Sequence, residues 1–190
     1  MTRKQKRGKI LKEFNRLIRA AEGGDYNKSR ICFHEAGHCF NVWFNQHGGT
    51  LCDVTCVQNG TIDGLTRHWS RRPATRASLR AEIAIKMGGK AAEMLTFGAS
   101  LGHYADQPEW ERKAKAVAET RATWRSLPNG LRTRAELKRR AQPIIAQAYT
   151  TAYSILEVWR PLLHKVSNFI IINSRYIWNA NTRQIITNNI

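Results

Sequence analysis

Residues 29–47 read SRICFHEAGHCFNVWFNQH and predict a buried helix. Ser29 is a suitable N-cap, and Gly48-Gly49 is a strong stop signal. A helix without a polar face is usually buried, and the apolar residues here lie nearly all round the axis: Ile31, Cys32, Phe33, Ala36, Cys39, Phe40, Val42, Trp43 and Phe44. The ionisable residues in the middle of this helix therefore need partners inside the protein.

These ionisable residues form an H-E-x-x-H motif, residues 34–38. His34 and His38 stand at i and i+4 and share one face of the helix, where two imidazoles can bind one Zn²⁺. Glu35 lies about 100° round the helix and can reach a water at such a metal, which is the arrangement of zinc metallopeptidases. The alternative is a pair of core histidines beside a helix-facing glutamate. A catalytic zinc needs a third protein ligand, for which the candidates are Asp106, Glu93, His103, His47 and His68.

The stretch that follows this helix predicts a β-hairpin. Asn59-Gly60 is a hairpin signal, and residues 61–69 can form the returning strand. The first strand alternates, with one face carrying Cys52, Val54 and Cys56 and the other carrying Asp53 and Thr55. Although Cys52 and Cys56 could mark a second metal site, buried free thiols are favoured because cysteine is among the most buried residue types.

The rest of the chain predicts a helical body. A helix begins near residue 74, and its Gly88-Gly89 pair predicts close packing beside the helix of residues 29–47. A loop over residues 97–106 follows, and helix resumes near Pro108. Pro143 and Pro161 are expected to divide the last helices. The predicted fold class is mainly α (α+β), a helical domain with a small β-hairpin beside the HEAGH helix.

Several segments, in order, resemble the peptidase domain of the FtsH family of ATP-dependent zinc metalloproteases. They are HEAGHCFNVWF (34–44), LCDVTCVQNGTIDGLT (51–66), MGGKAAEMLTFG (87–98) and ASLGHYAD (99–106), followed by AQPIIAQAYTTAYSILEVWRPLLHKVSNFII (141–171). The resemblance covers about residues 29–190 and implies a zincin-like peptidase domain. It departs from the family pattern at Leu101, where a threonine is expected, and in a loop that is about one residue shorter. Cys39 also replaces the usual alanine.

The resemblance implies a role for each candidate residue. His34 and His38 would be zinc ligands, Glu35 the catalytic base, and Asp106 the third ligand. Glu93 would hold a ligand histidine in place and is the main rival as a direct ligand, with His103 the next rival. His47 and His68 are expected at the surface. The implied activity is zinc-dependent endopeptidase cleavage of unfolded or flexible proteins.

The charge of the chain adds expectations about its partners. The 190 residues carry 31 basic and 14 acidic side chains, a net charge of +17, which points to polyanionic neighbours. Residues 1–28 are expected to form a basic arm with an amphipathic helix, and residues 29–190 the peptidase domain. The alternative function is therefore a basic nucleic-acid- or protein-binding module on an inactive peptidase fold.

The motifs that are missing from the sequence shape the remaining expectations. The sequence has no Walker A motif and no apolar run long enough for a membrane span. Hydrolysis is therefore expected to be independent of ATP or served by an ATPase in trans. A homo-oligomer and weak contact with nucleic acid or an anionic surface stay open. Without an export signal, the expected location is cytoplasmic.

Overall fold

The structure is a computed structural model that describes residues 23–57, 64–70, 74–173 and 175–177. Its helices are α1 (Gly23–Phe44), α2 (Arg76–Phe97), α3 (Gln107–Glu119), α4 (Ala122–Arg125), α5 (Arg134–Val158) and α6 (Arg160–Asn173). Its strands are β1 (Thr50–Thr55), β2 (Leu65–Trp69) and β3 (Arg175–Ile177). Short 3₁₀ turns span Gly102–Tyr104 and Asn129–Leu131. The predicted mainly α class with a small antiparallel sheet is confirmed.

Helix α1 lies in the core, as its sequence predicts. Cys32, Ala36 and Phe40 are fully buried, and the helix packs against α2, α6 and both strands of the hairpin. Its boundaries differ from the prediction, because α1 begins at Gly23 and ends at Phe44. The predicted N-cap at Ser29 is therefore wrong, because Ser29 lies inside the helix. Glycine disfavours a helix by only about 1 kcal/mol per residue, a preference that tertiary context overrides.

Helices α1 and α2 approach each other through two glycines. A Cβ atom on Gly88 would lie 2.4 Å from the carbonyl oxygen of Gly37, and one on Gly37 would lie 2.3 Å from the carbonyl oxygen of Gly88. The neighbouring Gly89 is equally restricted, since its Cβ would lie 2.3 Å from Nε2 of His34. The prediction that Gly88-Gly89 serves close packing beside α1 is confirmed.

The sheet has the strand order β2-β1-β3, with both pairings antiparallel. The register between β1 and β2 shifts between Leu51 and Asp53, and such a bulge disturbs the alternation of side chains. Asp53 pairs with Arg67, on the face away from Val54 as predicted, yet it is buried and accepts a hydrogen bond from Arg67 Nε at 2.7 Å. Cys56 is buried as expected, whereas Cys52 is half-buried.

The prediction that Pro143 divides two helices is wrong. Pro143 lies inside α5, on an exposed face of the helix. The helix continues through it because buried residues on both sides fix one stripe against the core: Ala141, Ile144, Ala148, Ala152 and Leu156. Pro161 does mark a division, since α5 ends at Val158 and α6 starts at Arg160.

Two further observations concern the ends of the chain and the membrane. Of the predicted basic arm of residues 1–28, residues 1–22 lie outside the described residues, and residues 23–28 belong to α1. Among the helices that the structure describes, none is both long and apolar enough to span a bilayer.

Candidate metal centre and active site

Helix α1 brings His34, Glu35 and His38 to the wall of a cavity of about 340 Å³. All three are buried, with 6–7% of their surface exposed. Asp106 joins them from the start of α3. Within the described part of the chain, His34, His38 and Asp106 form the one group of histidine, cysteine or acidic side chains whose donor atoms converge as metal ligands do.

The three converging atoms form a nearly equilateral triangle. The Nε2 atoms of His34 and His38 are 3.0 Å apart, and Asp106 Oδ2 lies 3.2 Å from the first and 3.1 Å from the second. Asp106 occupies the N-cap position of α3, yet its side chain makes no capping hydrogen bond. Helix capping therefore does not explain where its carboxylate points.

The other nitrogen of each imidazole determines what the triangle can hold. His38 Nδ1 lies 2.7 Å from the carbonyl oxygen of Ile85, so it must donate. His34 Nδ1 lies 2.6 Å from a carboxylate oxygen of Glu93 and also donates. In neutral imidazoles both Nε2 atoms then carry lone pairs. Together with Asp106 Oδ2 they place three acceptors within 3.2 Å of one another, an arrangement that only a cation can stabilise.

The pKa values of this cluster indicate the same demand for positive charge. Burial lowers the pKa of His34, but hydrogen bonds with Asp106 and Glu93 outweigh burial and raise it to about 10. Burial raises the pKa of Asp106, but its hydrogen bonds with the two histidines outweigh burial and hold it well below its usual range. A proton thus takes the place that another cation could fill.

Glu93 lies on α2, is completely buried, and contacts the imidazole of His34. Besides His34, it accepts hydrogen bonds from Arg30 Nη1 at 2.9 Å, from the N–H of Leu101 at 2.7 Å and from the N–H of Gly102 at 3.0 Å. Burial raises the pKa of Glu93, and these partners, His34 first, lower it below its ordinary value. The Glu93 carboxylate lies behind His34 and is not part of the triangle.

The other candidate histidines lie outside the triangle. His103 packs its ring against Tyr104 and Trp110, and its Nδ1 lies 3.0 Å from Ser100 Oγ. His47 is exposed, as predicted.

The prediction that His68 is a surface residue is wrong. Its side chain is only 10% exposed, lines the cavity, and lies 3.2 Å from Glu82 Oε2. Glu82 lies on α2, fourteen residues further along the chain, so the sequence around His68 does not reveal this partner. Burial raises the pKa of Glu82, but hydrogen bonds from His68 and Ser70 and the charge of Lys113 lower it to about 2.

Two side chains that sequence reasoning missed also contact the site. Thr66 on β2 donates a hydrogen bond to Glu35 Oε2 at 2.7 Å. Lys86 on α2 places Nζ 3.7 Å from Asp106 Oδ1 and 3.1 Å from Glu109 Oε2. The signal for Lys86 was its spacing of seven residues before Glu93, which places both on one face of α2. The signal for Thr66 was its position two residues after Gly64 in a strand beside α1.

Part of the chain is similar in sequence to known proteins. Residues 23–106 match the family model described as peptidase family M41. An ATP-dependent zinc metalloprotease FtsH of Parabacteroides distasonis is 33% identical over 102 residues, 52% of this chain and 15% of that protein. An FtsH of Nitrosococcus oceani is 28% identical over 78 residues, 40% of this chain and 12% of that protein. A YME1 homolog of Schistosoma mansoni, also named an ATP-dependent zinc metalloprotease, is 37% identical over 70 residues, 35% of this chain and 11% of that protein.

The matches cover only part of this chain and a small part of each relative. The chain spans 15% or less of the length of each of these relatives. The family model ends at Asp106, so the resemblance of residues 107–190 stays a prediction. Residues 23–106 contain the H-E-x-x-H helix, the hairpin, α2 with Glu93, and the loop to Asp106. Over these residues the chain is similar to the peptidase domain of FtsH-type zinc metalloproteases and matches the model of peptidase family M41.

Proposed function

We propose that the chain binds one Zn²⁺ through His34, His38 and Asp106 and hydrolyses peptide bonds with Glu35 as general base. The observation that carries the proposal is the triangle of three acceptor atoms, whose edges measure 3.0–3.2 Å. Ligand atoms of a tetrahedral zinc lie about 3.3–3.4 Å apart, given bonds of 2.0–2.1 Å. Two imidazoles and one carboxylate are also the donor types that zinc accepts at catalytic sites.

The supporting residues suit this donor set. Glu93 and the Ile85 carbonyl each take the proton of one Nδ1, which fixes both imidazoles with Nε2 toward the centre. Lys86 lies against the other oxygen of Asp106, Oδ1, which favours the orientation that presents Oδ2 to the histidines. Zinc, when bound, supplies a Lewis acid that polarises a carbonyl and lowers the pKa of water.

The chain's own residues then provide the proton transfers. Glu35 lines the cavity from α1, and Thr66 anchors its Oε2. The carboxylate accepts a proton from the attacking water, and as a carboxylic acid it returns that proton to the leaving amine. One residue at one position thus serves both halves of the hydrolysis.

The substrate we propose is an unfolded or flexible protein segment, bound in extended form. Strand β2 is an outer strand of the described sheet, and Leu65, Thr66 and His68 of this strand line the cavity. An extended peptide can pair with such a strand through main-chain hydrogen bonds. Hydrolysis of segments that are already unfolded needs no ATP, whereas folded substrates would require an ATPase in trans.

Removal of zinc is expected to abolish cleavage of a fluorogenic casein by the purified protein. Dialysis against a chelator followed by dialysis into metal-free buffer should stop hydrolysis, and one equivalent of Zn²⁺ should restore it. Mg²⁺ should not restore it, because Mg²⁺ prefers oxygen ligands in octahedral geometry. Cleavage that continues at full rate in the metal-free protein would refute the proposed function.

A further inference from the structure

The side chain of Glu35 is held by strand β2 at one of its two carboxylate oxygens. Thr66 Oγ1 lies 2.7 Å from Glu35 Oε2 and 3.1 Å from the main-chain carbonyl oxygen of Glu35. A hydroxyl has a single proton to donate. The shorter contact, to the charged oxygen, receives that proton, because hydrogen bonds to carboxylates are shorter and stronger than bonds to neutral acceptors.

The register of the hairpin explains why Thr66 points at α1. Thr66 pairs with Val54 of β1, and Val54 is fully buried on the face that packs against the helices. Directly opposite residues of an antiparallel pair lie on the same face of the sheet. The same face carries His68, two residues further along the strand, which also lines the cavity.

The backbone before Thr66 restricts Glu35 from a second direction. A Cβ atom on Gly64 would lie 2.8 Å from Glu35 Cγ and 2.9 Å from Glu35 Oε1. Only a residue without a side chain therefore fits at position 64 beside the glutamate. Glu35 thus has the Thr66 hydroxyl at one oxygen and the close approach of residue 64 beside its methylene stem.

We propose that Thr66 is a positioning residue that fixes the Glu35 carboxylate for proton transfer, an inference that rests on the proposed function. A free glutamate side chain samples several rotamers, and proton transfer requires its oxygen within hydrogen-bond reach of the reacting water. The hydroxyl restricts that freedom before substrate binds. It also fixes which oxygen, Oε1, is left to exchange the proton.

A purely structural tether between β2 and α1 would behave differently. Strand β2 borders the substrate cavity, so a loosened strand would weaken substrate binding and raise KM. Loss of carboxylate positioning instead lowers kcat and leaves substrate and zinc binding intact. The two roles are therefore separable by kinetics and by zinc content.

The test compares Thr66→Val, Thr66→Ser and Thr50→Val in the full chain. Thr66→Val keeps the side-chain shape without the hydroxyl, and kcat should fall about 10- to 100-fold, the effect of one hydrogen bond to a charged group. KM, zinc per chain and melting temperature should stay close to wild type. Thr66→Ser retains the donor and should restore most of kcat. Thr50→Val changes an exposed threonine of β1 and should have no effect.

The possible results separate this inference from the proposed function. Wild-type kcat in Thr66→Val would overturn the positioning role while leaving the zinc peptidase in place. A raised KM with unchanged kcat, or a Thr66→Ser protein as impaired as Thr66→Val, would show a tether instead. If the wild-type protein binds no zinc and cleaves no casein, the proposed function itself fails, and the role of Thr66 falls with it.

Discussion

Replacing Glu35 with glutamine is expected to lower kcat for casein or peptide hydrolysis by about 10²- to 10⁴-fold, the usual contribution of a general base. Glutamine has nearly the shape of glutamate, and its amide oxygen can still accept the hydrogen bond from Thr66. It cannot take a proton from water. Initial rates of cleavage of a fluorogenic peptide at saturating substrate measure the effect on kcat directly.

The zinc content of the Glu35→Gln protein provides the control for this experiment. Glu35 is not part of the triangle formed by His34, His38 and Asp106, so the variant should hold as much zinc as wild type. A melting temperature near that of wild type would show that the fold is intact. Hydrolysis at the wild-type rate would mean that Glu35 is not the base.

Replacing Glu93 with glutamine is expected to weaken zinc binding about 10- to 100-fold, as is usual for a partner that orients a ligand histidine. The glutamine amide has one acceptor oxygen and one donor nitrogen. It cannot serve at once His34, Arg30 and the main-chain N–H groups of Leu101 and Gly102. The amide nitrogen would face at least one of these donors.

The same substitution should also destabilise the fold. The Arg30 and Glu93 side chains are 9% and 0% exposed, and removing one partner of a buried ion pair costs about 3–5 kcal/mol. Urea unfolding measures the stability, and titration with a competing chelator measures the zinc affinity. Glu119→Gln, at an exposed position at the end of α3, is the matched control. Unchanged zinc affinity in Glu93→Gln would show that His34 does not depend on this carboxylate.

Local spacing explains why part of the site was predictable from the sequence. His34, Glu35 and His38 share one helical turn, so the helix alone sets their geometry. Asp106 lies 68 residues beyond His38, and only the resemblance to a known family singled it out among five candidates. The close packing at Gly88-Gly89 was predictable because glycine pairs in helices have few other uses.

Contacts between distant elements explain what the sequence did not show. His68 is buried because Glu82 of α2 meets β2, and Asp53 is buried beside Arg67 on the face of β1 away from Val54. Strand β3 pairs with β1 across about 120 residues of chain, and a segment of three residues carries no recognisable alternation. Pro143 does not end the helix, because the burial of the residues on both sides of it outweighs the one backbone hydrogen bond that proline removes.

The most direct measurement is the zinc content of the purified protein, determined by atomic emission for wild type, His38→Ala and Asp106→Ala. Wild type should contain about one zinc per chain, as expected for a single catalytic site. Both variants should lose it, since each removes one corner of the three-atom triangle. Zinc that is retained in Asp106→Ala but lost in Glu93→Ala would contradict the assignment of Asp106 as the third ligand.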